Sequence, residues 1–298
     1  MTKALLIVNP SSGGEEAKKY EEQATKKLEE LFQEVVVKHT EKGGDAIDFA
    51  QEAAREEFDS VFAMGGDGTV NEAISGLAEE TFRPKFGFFP LGTVNDLARA
   101  LNLPLDPEEA INSLALERTT KLDVGKINDQ YFMNVVAIGT IPESINNVDV
   151  EAKTKYGKLA YFLSGIKNVI GTESYAFELT IDGEQKAVTS STLILGLTSS
   201  VGGFEQLLSG AQVDDGKMHL IYLKDETLLD TVKSLPDLIR GVEESTNNVG
   251  YIAFTEGEIA VKDQTLGTNV DGDEGPELPI QVKILPSHLE VYRGEASE

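Results

Sequence analysis

Eight consecutive residues, Gly65-Gly66-Asp67-Gly68-Thr69-Val70-Asn71-Glu72, hold the densest chemistry in the chain. Three glycines in four positions let the backbone turn sharply and approach a ligand with no Cβ in the way. The run lies between an apolar stretch, Val61-Phe62-Ala63-Met64, and a segment with helical spacing. The amides and positive dipole end of that helix would face the loop, which suits phosphate. Asp67 would repel bare phosphate; it makes sense beside a Mg²⁺–nucleotide, engaged directly or through water. A plain strand–helix turn with Asp67 or Thr69 as N-cap is the structural alternative. Five specific residues in register, with Asn71 and Glu72 behind them, weigh against it. Neither the GxGxxG fingerprint nor the GxxxxGK[ST] phosphate loop occurs.

Two more loops of the same kind follow apolar runs: Asn9-Pro10-Ser11-Ser12-Gly13-Gly14 and Leu91-Gly92-Thr93-Val94-Asn95-Asp96. Each alone reads as a turn. In a parallel sheet, strand C-termini share one edge, and ligands bind there. Three loops of small, hydroxyl and amide residues on one edge describe a nucleotide cradle.

The elements that would place these loops alternate through the first 125 residues. Strands are expected at 4–8, 34–39, 61–64 and 86–89, with helices at 15–33, 43–58, 70–78, 93–101 and 107–117. That order predicts a doubly wound, mostly parallel α/β sheet. Past Asp123-Val124-Gly125 strands dominate, at 130–138, 175–182, 186–198, 217–223, 251–262 and 280–285, with a hairpin turn at Asp182-Gly183. Helices are expected near 156–170 and 226–240. We divide the chain into an α/β domain, 1–125, and a mainly antiparallel β-sandwich domain, 126–285, with 286–298 returning to the first as a strand.

Composition narrows the chemistry. The 298 residues include 26 basic and 51 acidic ones, a formal net charge of −25. Nucleic-acid binding needs a basic footprint and is disfavoured. There is no Cys, so thiolate nucleophiles, disulfides and Cys-ligated metals are excluded. The three His, at 39, 219 and 288, are scattered, which leaves a hard, oxygen-bound metal as the expectation. Residues 4–8 are too short for a secretory signal core, and no apolar run approaches a membrane span. A cytoplasmic location follows as an expectation.

The three loops together resemble the diacylglycerol kinase catalytic family, in its soluble bacterial lipid-kinase branch. The resemblance continues at Asp123-Val124-Gly125, at 196–204, at Asp214-Asp215-Gly216 and at Asn269-Val270-Asp271-Gly272, and so spans nearly the whole chain. It implies a phosphofructokinase- or NAD-kinase-like first domain and ATP-dependent phosphorylation of a lipid hydroxyl, by default diacylglycerol to phosphatidic acid. It implies nucleotide contacts from Asn9, Pro10, Ser11, Ser12 and Gly13, from Thr40, from 65–72, and from Thr93 and Asn95. It implies Mg²⁺ at the Asp-Asp-Gly turn, with Asp215 as side-chain ligand and the carbonyls of Gln212 and Lys217 beside it. It puts catalysis on the 269–275 turn, where a carboxylate would accept the hydroxyl proton. Many relatives read Asp-Gly-Glu there. This chain reads Asp271-Gly272-Asp273 and then Glu274, so Asp271 is favoured as base with Asp273 assisting.

An acidic protein must still meet a lipid. Residues 151–170 carry Lys153, Lys155, Lys158 and Lys167 against Glu151 alone, beside Tyr156, Leu159, Phe162 and Leu163 at helical spacing. A basic amphipathic helix there would give transient contact with the inner face of a membrane. A homodimer is expected from the family. The alternatives are a small-molecule kinase of the NAD-kinase kind and a nucleotide-binding regulatory protein that has lost turnover.

Overall fold

A computed structural model describes residues 2–15, 17–139, 174–204, 206–224, 234, 236–238 and 240–295. Strands β1 (Lys3–Val8), β2 (Glu34–His39), β3 (Ser60–Gly65) and β4 (Lys85–Pro90) lie parallel in the order β2-β1-β3-β4. Helices α1 (Ala17–Leu31), α2 (Asp45–Arg55) and α3 (Asp67–Leu77) connect them, followed by α4 (Asp96–Ala100) and α5 (Pro107–Ser113). Successive strand residues point to opposite faces. Leu5 and Ile7 therefore join Ala46, Ala50, Val70 and Ile74 of α2 and α3 in one core. Ala4, Leu6 and Val8 join Tyr20, Ala24 and Leu28 of α1 and Ile111 of α5 in another. Burial on both faces is why these strands read as unbroken apolar runs.

The sheet continues past β4. β16 (Ile280–Tyr292) meets β4 in parallel at Val291, pairs antiparallel with β5 (Thr119–Ile127), and then carries the sheet on to β13 (Glu256–Val261), β8 (Tyr175–Ile181) and β9 (Glu184–Ser190). The strand expected at 280–285 and the returning strand expected within 286–298 are one strand with a register shift between Leu285 and Leu289. β6 (Gln130–Phe132) pairs with β5.

A second sheet has six strands. It comprises β7 (Val135–Gly139), β10 (Thr192–Gly196), β11 (Met218–Leu223), β12 (Val249–Phe254), β14 (Thr268–Val270) and β15 (Asp273–Glu274), in the order β12-β11-β10-β7-β14-β15. Its Val136, Leu193, Leu195, Met218 and Leu220 pack with Phe177, Leu179, Ile259 and Ile280 of the first sheet, which makes the antiparallel sandwich.

Two expected strands, 186–198 and 251–262, each divide at a corner and give their halves to different sheets. At the first corner the Ser190 hydroxyl donates to the Thr192 carbonyl (2.8 Å) and accepts its N–H (3.2 Å). At the second, Asp182 Oδ1 accepts from the N–H and hydroxyl of Thr255 and from the N–H of Glu256. The Asp182-Gly183 hairpin is present, both residues at positive φ as its tight turn requires. The helix expected at 93–101 starts only at Asp96, because Asn95 is left-handed (φ 52°) and donates its side-chain N–H to the Gly92 carbonyl. The strand at 119–127 carries no strong period and was not anticipated. The expected 156–170 helix lies outside the described residues, as does most of 226–240. No helix among the described residues is long and apolar enough to cross a membrane.

Candidate active site

The C-terminal ends of β1 to β4 share one edge, and the loops leaving them are bonded to one another. Asn9 donates its side-chain N–H to the Thr69 hydroxyl (3.1 Å), and its Oδ1 accepts from the N–H and hydroxyl of Ser11. Ser12 Oγ accepts from Gly66 N (3.3 Å). Asp67 Oδ2 accepts from Asn95 N (3.0 Å), which joins the β3 and β4 loops. Thr40 N donates to the Val8 carbonyl, so the loop after β2 lies at the same edge.

Gly66 and Gly92 make the joint possible. A Cβ on Gly92 would lie 2.6 Å from Asn95 Oδ1, 3.2 Å from Gly66 Cα and 3.3 Å from Asp67 Oδ2. Backbone meets backbone here, and no side chain fits between. Gly66 is also the N-cap of α3, and no side chain caps that helix end. An 11-residue helix thus presents its N-terminus to a glycine-walled edge, where a phosphate would find amide donors and a favourable dipole.

Thr93 is exposed beside this edge, while Asn95 is buried in the joint. Glu72 plays a different part: its carboxylate accepts from Gly44 N (3.0 Å) and Ala46 N (3.3 Å) and fixes the start of α2. It shapes the β2 loop and is not aimed at the edge by these bonds.

The 269–275 turn closes on the same place from the other half of the chain. Asp271 and Gly272 have φ of 50° and 102° and connect β14 to β15 as an Asp-Gly hairpin. The Asp271 residue keeps part of its surface exposed, but its carboxylate is turned inward. Oδ2 accepts from Met133 N (2.7 Å); Oδ1 accepts from Asn134 N (3.0 Å) and Val135 N (2.8 Å). Burial pushes this carboxyl up to about 6 despite the three donors, and the neighbouring Asp67 charge adds to the rise. Burial likewise raises Asp67, outweighing the Asn95 bond that lowers it, and the Asp96 charge adds to the rise. Carboxylates from the two halves therefore face one another closely enough to repel. Asp273 is exposed at the start of β15, paired with Val270.

The Asp-Asp-Gly turn stands apart. Asp215 Oδ1 accepts from Lys217 N (2.9 Å), and Oδ2 accepts from Gln212 N (3.1 Å) and from His219 Nε2 (2.9 Å). Burial alone would raise Asp215; the His219 bond and the two backbone donors hold it below the usual carboxylate range. The turn is anchored through Gly216 N, which donates to Asp123 (2.6 Å), as does Ser287 N (2.6 Å). Burial, reinforced by the charges of Asp215 and Asp214, raises Asp123 against those two donors.

Among the described residues, no three His, Asp or Glu side chains form a metal cage. The donor sets still fit Mg²⁺, which keeps several waters and takes one or two carboxylates plus substrate phosphates. Asp67 would serve such an ion at the cradle. Asp215 Oδ1 has a lone pair left for one at the turn. Two groups escaped the sequence reading. Asp96, inside a quoted motif, is a buried strut described below. The backbone N–H groups of 133–135, which hold Asp271, leave no trace in residue type.

Residues 3–127 match the family model described as the diacylglycerol kinase catalytic domain, and 134–293 match the YegS C-terminal NAD kinase beta sandwich-like domain. A Streptococcus pneumoniae protein named as a candidate lipid kinase is 37% identical over 98% of each chain. A Bacillus subtilis protein named diacylglycerol kinase is 34% identical, over 98% of this chain and 96% of that one. A crystal structure titled as a diacylglycerol kinase from Bacillus anthracis superposes with a TM-score of 0.80 at 26% identity, covering 98% of this chain and 97% of that one.

Proposed function

Because the chain belongs to the diacylglycerol kinase catalytic family, we propose that it transfers the γ-phosphoryl group of ATP to a lipid hydroxyl, with diacylglycerol as the acceptor and phosphatidic acid as the product. One observation carries the reading: a glycine-walled edge with an uncapped helix N-terminus meets a carboxylate-bearing hairpin from the other half of the chain.

Phosphoryl transfer asks a protein for positioning, charge neutralisation and an acceptor for the alcohol proton. The backbone of Gly66 and Gly92 would admit the phosphates, and the first amides of α3 would meet their charge. Mg²⁺, held by Asp67 and water, would supply charge neutralisation at the phosphates when bound. Asp271 spends three of its four carboxylate lone pairs on backbone donors. That geometry supports a positioning role: Asp271 fixes the hairpin against 133–135. Asp273, exposed two residues on, is then the proton acceptor, a shift from the assignment favoured by sequence. Asp215 orders its turn, with Mg²⁺ at its remaining lone pair and at the carbonyls of Gln212 and Lys217. The 151–170 segment is the proposed membrane contact, made at the inner face.

γ-labelled ATP offered with mixed lipids in one tube and NAD in another tests the substrate class. Label in lipid alone is expected; label in NAD alone would sink the reading. Asp273→Asn should keep ATP binding and lower turnover about 10²- to 10⁴-fold. Unchanged turnover would return the base to Asp271.

A further inference from the structure

Asp96 is 4% exposed, yet its carboxylate is turned away from the cradle. Oδ1 accepts from the Ser200 hydroxyl (2.6 Å) and from Gly203 N (2.9 Å), and Oδ2 accepts from Gly202 N (2.7 Å). All three donors come from the other half of the chain. Gly202 and Gly203 both have positive φ (61° and 81°), which turns successive amides onto one acceptor. Ser200 is 1% exposed. The loop is braced internally: Val201 and Phe204 exchange backbone bonds, and Thr198 Oγ1 donates to the Ser200 carbonyl.

Both ends of this loop lead to the supports of the site's buried carboxylates. On one side, Asp96 follows Asn95, whose N–H holds Asp67. On the other, Leu197 N donates to the Asn134 carbonyl (2.9 Å), and Gly196 pairs with Val135. Asn134 and Val135 are the residues whose N–H groups hold Asp271. Among the described residues, the 197–203 loop is bonded to Asp96 on one side and to Asn134 on the other.

We propose that Ser200 is a positioning residue for phosphoryl transfer: with Gly202 and Gly203 it latches Asp96 and so holds the Asp67 loop and the Asp271 hairpin at working distance. The proposal rests on the kinase reading above. Ser200 bonds to the Asp96 carboxylate and not to the cradle amides or to Asp273, so its loss should spare ATP binding and slow transfer.

Ser200→Ala removes one hydroxyl and leaves Asp96 two amide donors, so the fold should survive. A hydroxyl bond to a buried carboxylate corresponds to about 10- to 100-fold in an equilibrium or rate. The kcat should fall by that amount, with KM and Kd for ATP unchanged within about twofold. Ser200→Cys, a weaker donor of similar shape, should fall between the two. Amide hydrogen exchange should speed up at Met133, Asn134 and Val135 as well as at Gly202 and Gly203. A purely local role would confine faster exchange to 200–204 and leave kcat at its wild-type value, and either result overturns the latch. If the wild type transfers no phosphate to lipid, the kinase reading fails, and exchange at 133–135 alone decides the latch.

Discussion

Replacing Asp271 with Asn should change how stability depends on pH. The Asp271 carboxyl has a folded-state pKa of about 6 against an ordinary value of 3.8. An acid raised by folding contributes stability that is full below its unfolded pKa and is lost as pH rises through the folded one. At pH 4.5 the native wild-type group is almost wholly protonated, while the unfolded group is mostly ionised; at pH 8 both are ionised. Between these two pH values the wild type loses about 2 kcal/mol relative to a variant that cannot titrate. The Asn amide nitrogen cannot accept an N–H as each Asp271 oxygen does, so Asp271→Asn should be the less stable of the two at pH 4.5. By pH 8 the stability difference should have moved by about 2 kcal/mol in favour of Asp271→Asn. Urea unfolding followed by circular dichroism reads this directly; the chain has no Trp to serve as a fluorescence probe. A stability difference that does not change between pH 4.5 and pH 8 would show that burial does not outweigh the three N–H donors, and would refute the electrostatic picture of the hairpin.

Gly92→Ala should drive Gly66 and Asp67 away from the β4 loop and raise KM for ATP about tenfold or more, with the unfolding midpoint nearly unchanged; steady-state kinetics against ATP checks it. Asp123→Ala removes the acceptor of two 2.6 Å bonds and leaves the Gly216 and Ser287 amides unmet, which should cost roughly 3–5 kcal/mol in denaturant titration. Chelating Mg²⁺ with EDTA should abolish lipid phosphorylation, and added Mg²⁺ should restore it. Loss that Mg²⁺ does not reverse would count against a readily exchanging ion.

The parallel half was legible because its signals are local. Apolar runs buried on both faces and helices at a 3.6-residue period name their own elements, and Gly65-Gly66-Asp67-Gly68 marks the passage from β3 to α3. The sandwich was legible as such, but not the places where its strands change sheets. A strand that changes sheets keeps its β pattern, and the corner depends on bonds such as Asp182 to Thr255, which lie 73 residues apart. The continuous β16 was split for the same reason: Pro286 and Ser287 look like a break, yet pairing with β5 carries the strand across it. At the site, the family resemblance implies a nucleotide contact at Glu72, and only the fold shows that its carboxylate also holds the start of α2. Asp96 gave the opposite lesson. It stands in a loop motif, and only the fold brings Ser200, 104 residues away, to its carboxylate.

The most direct test of the lipid-kinase assignment is transfer from γ-labelled ATP to diacylglycerol in mixed micelles containing Mg²⁺, followed by organic extraction. The account predicts label in the organic phase as phosphatidic acid, one phosphate per ATP consumed, and none when Mg²⁺ is omitted. ATP consumed with all label left in the aqueous phase, across diacylglycerol and every other lipid alcohol offered, would contradict it.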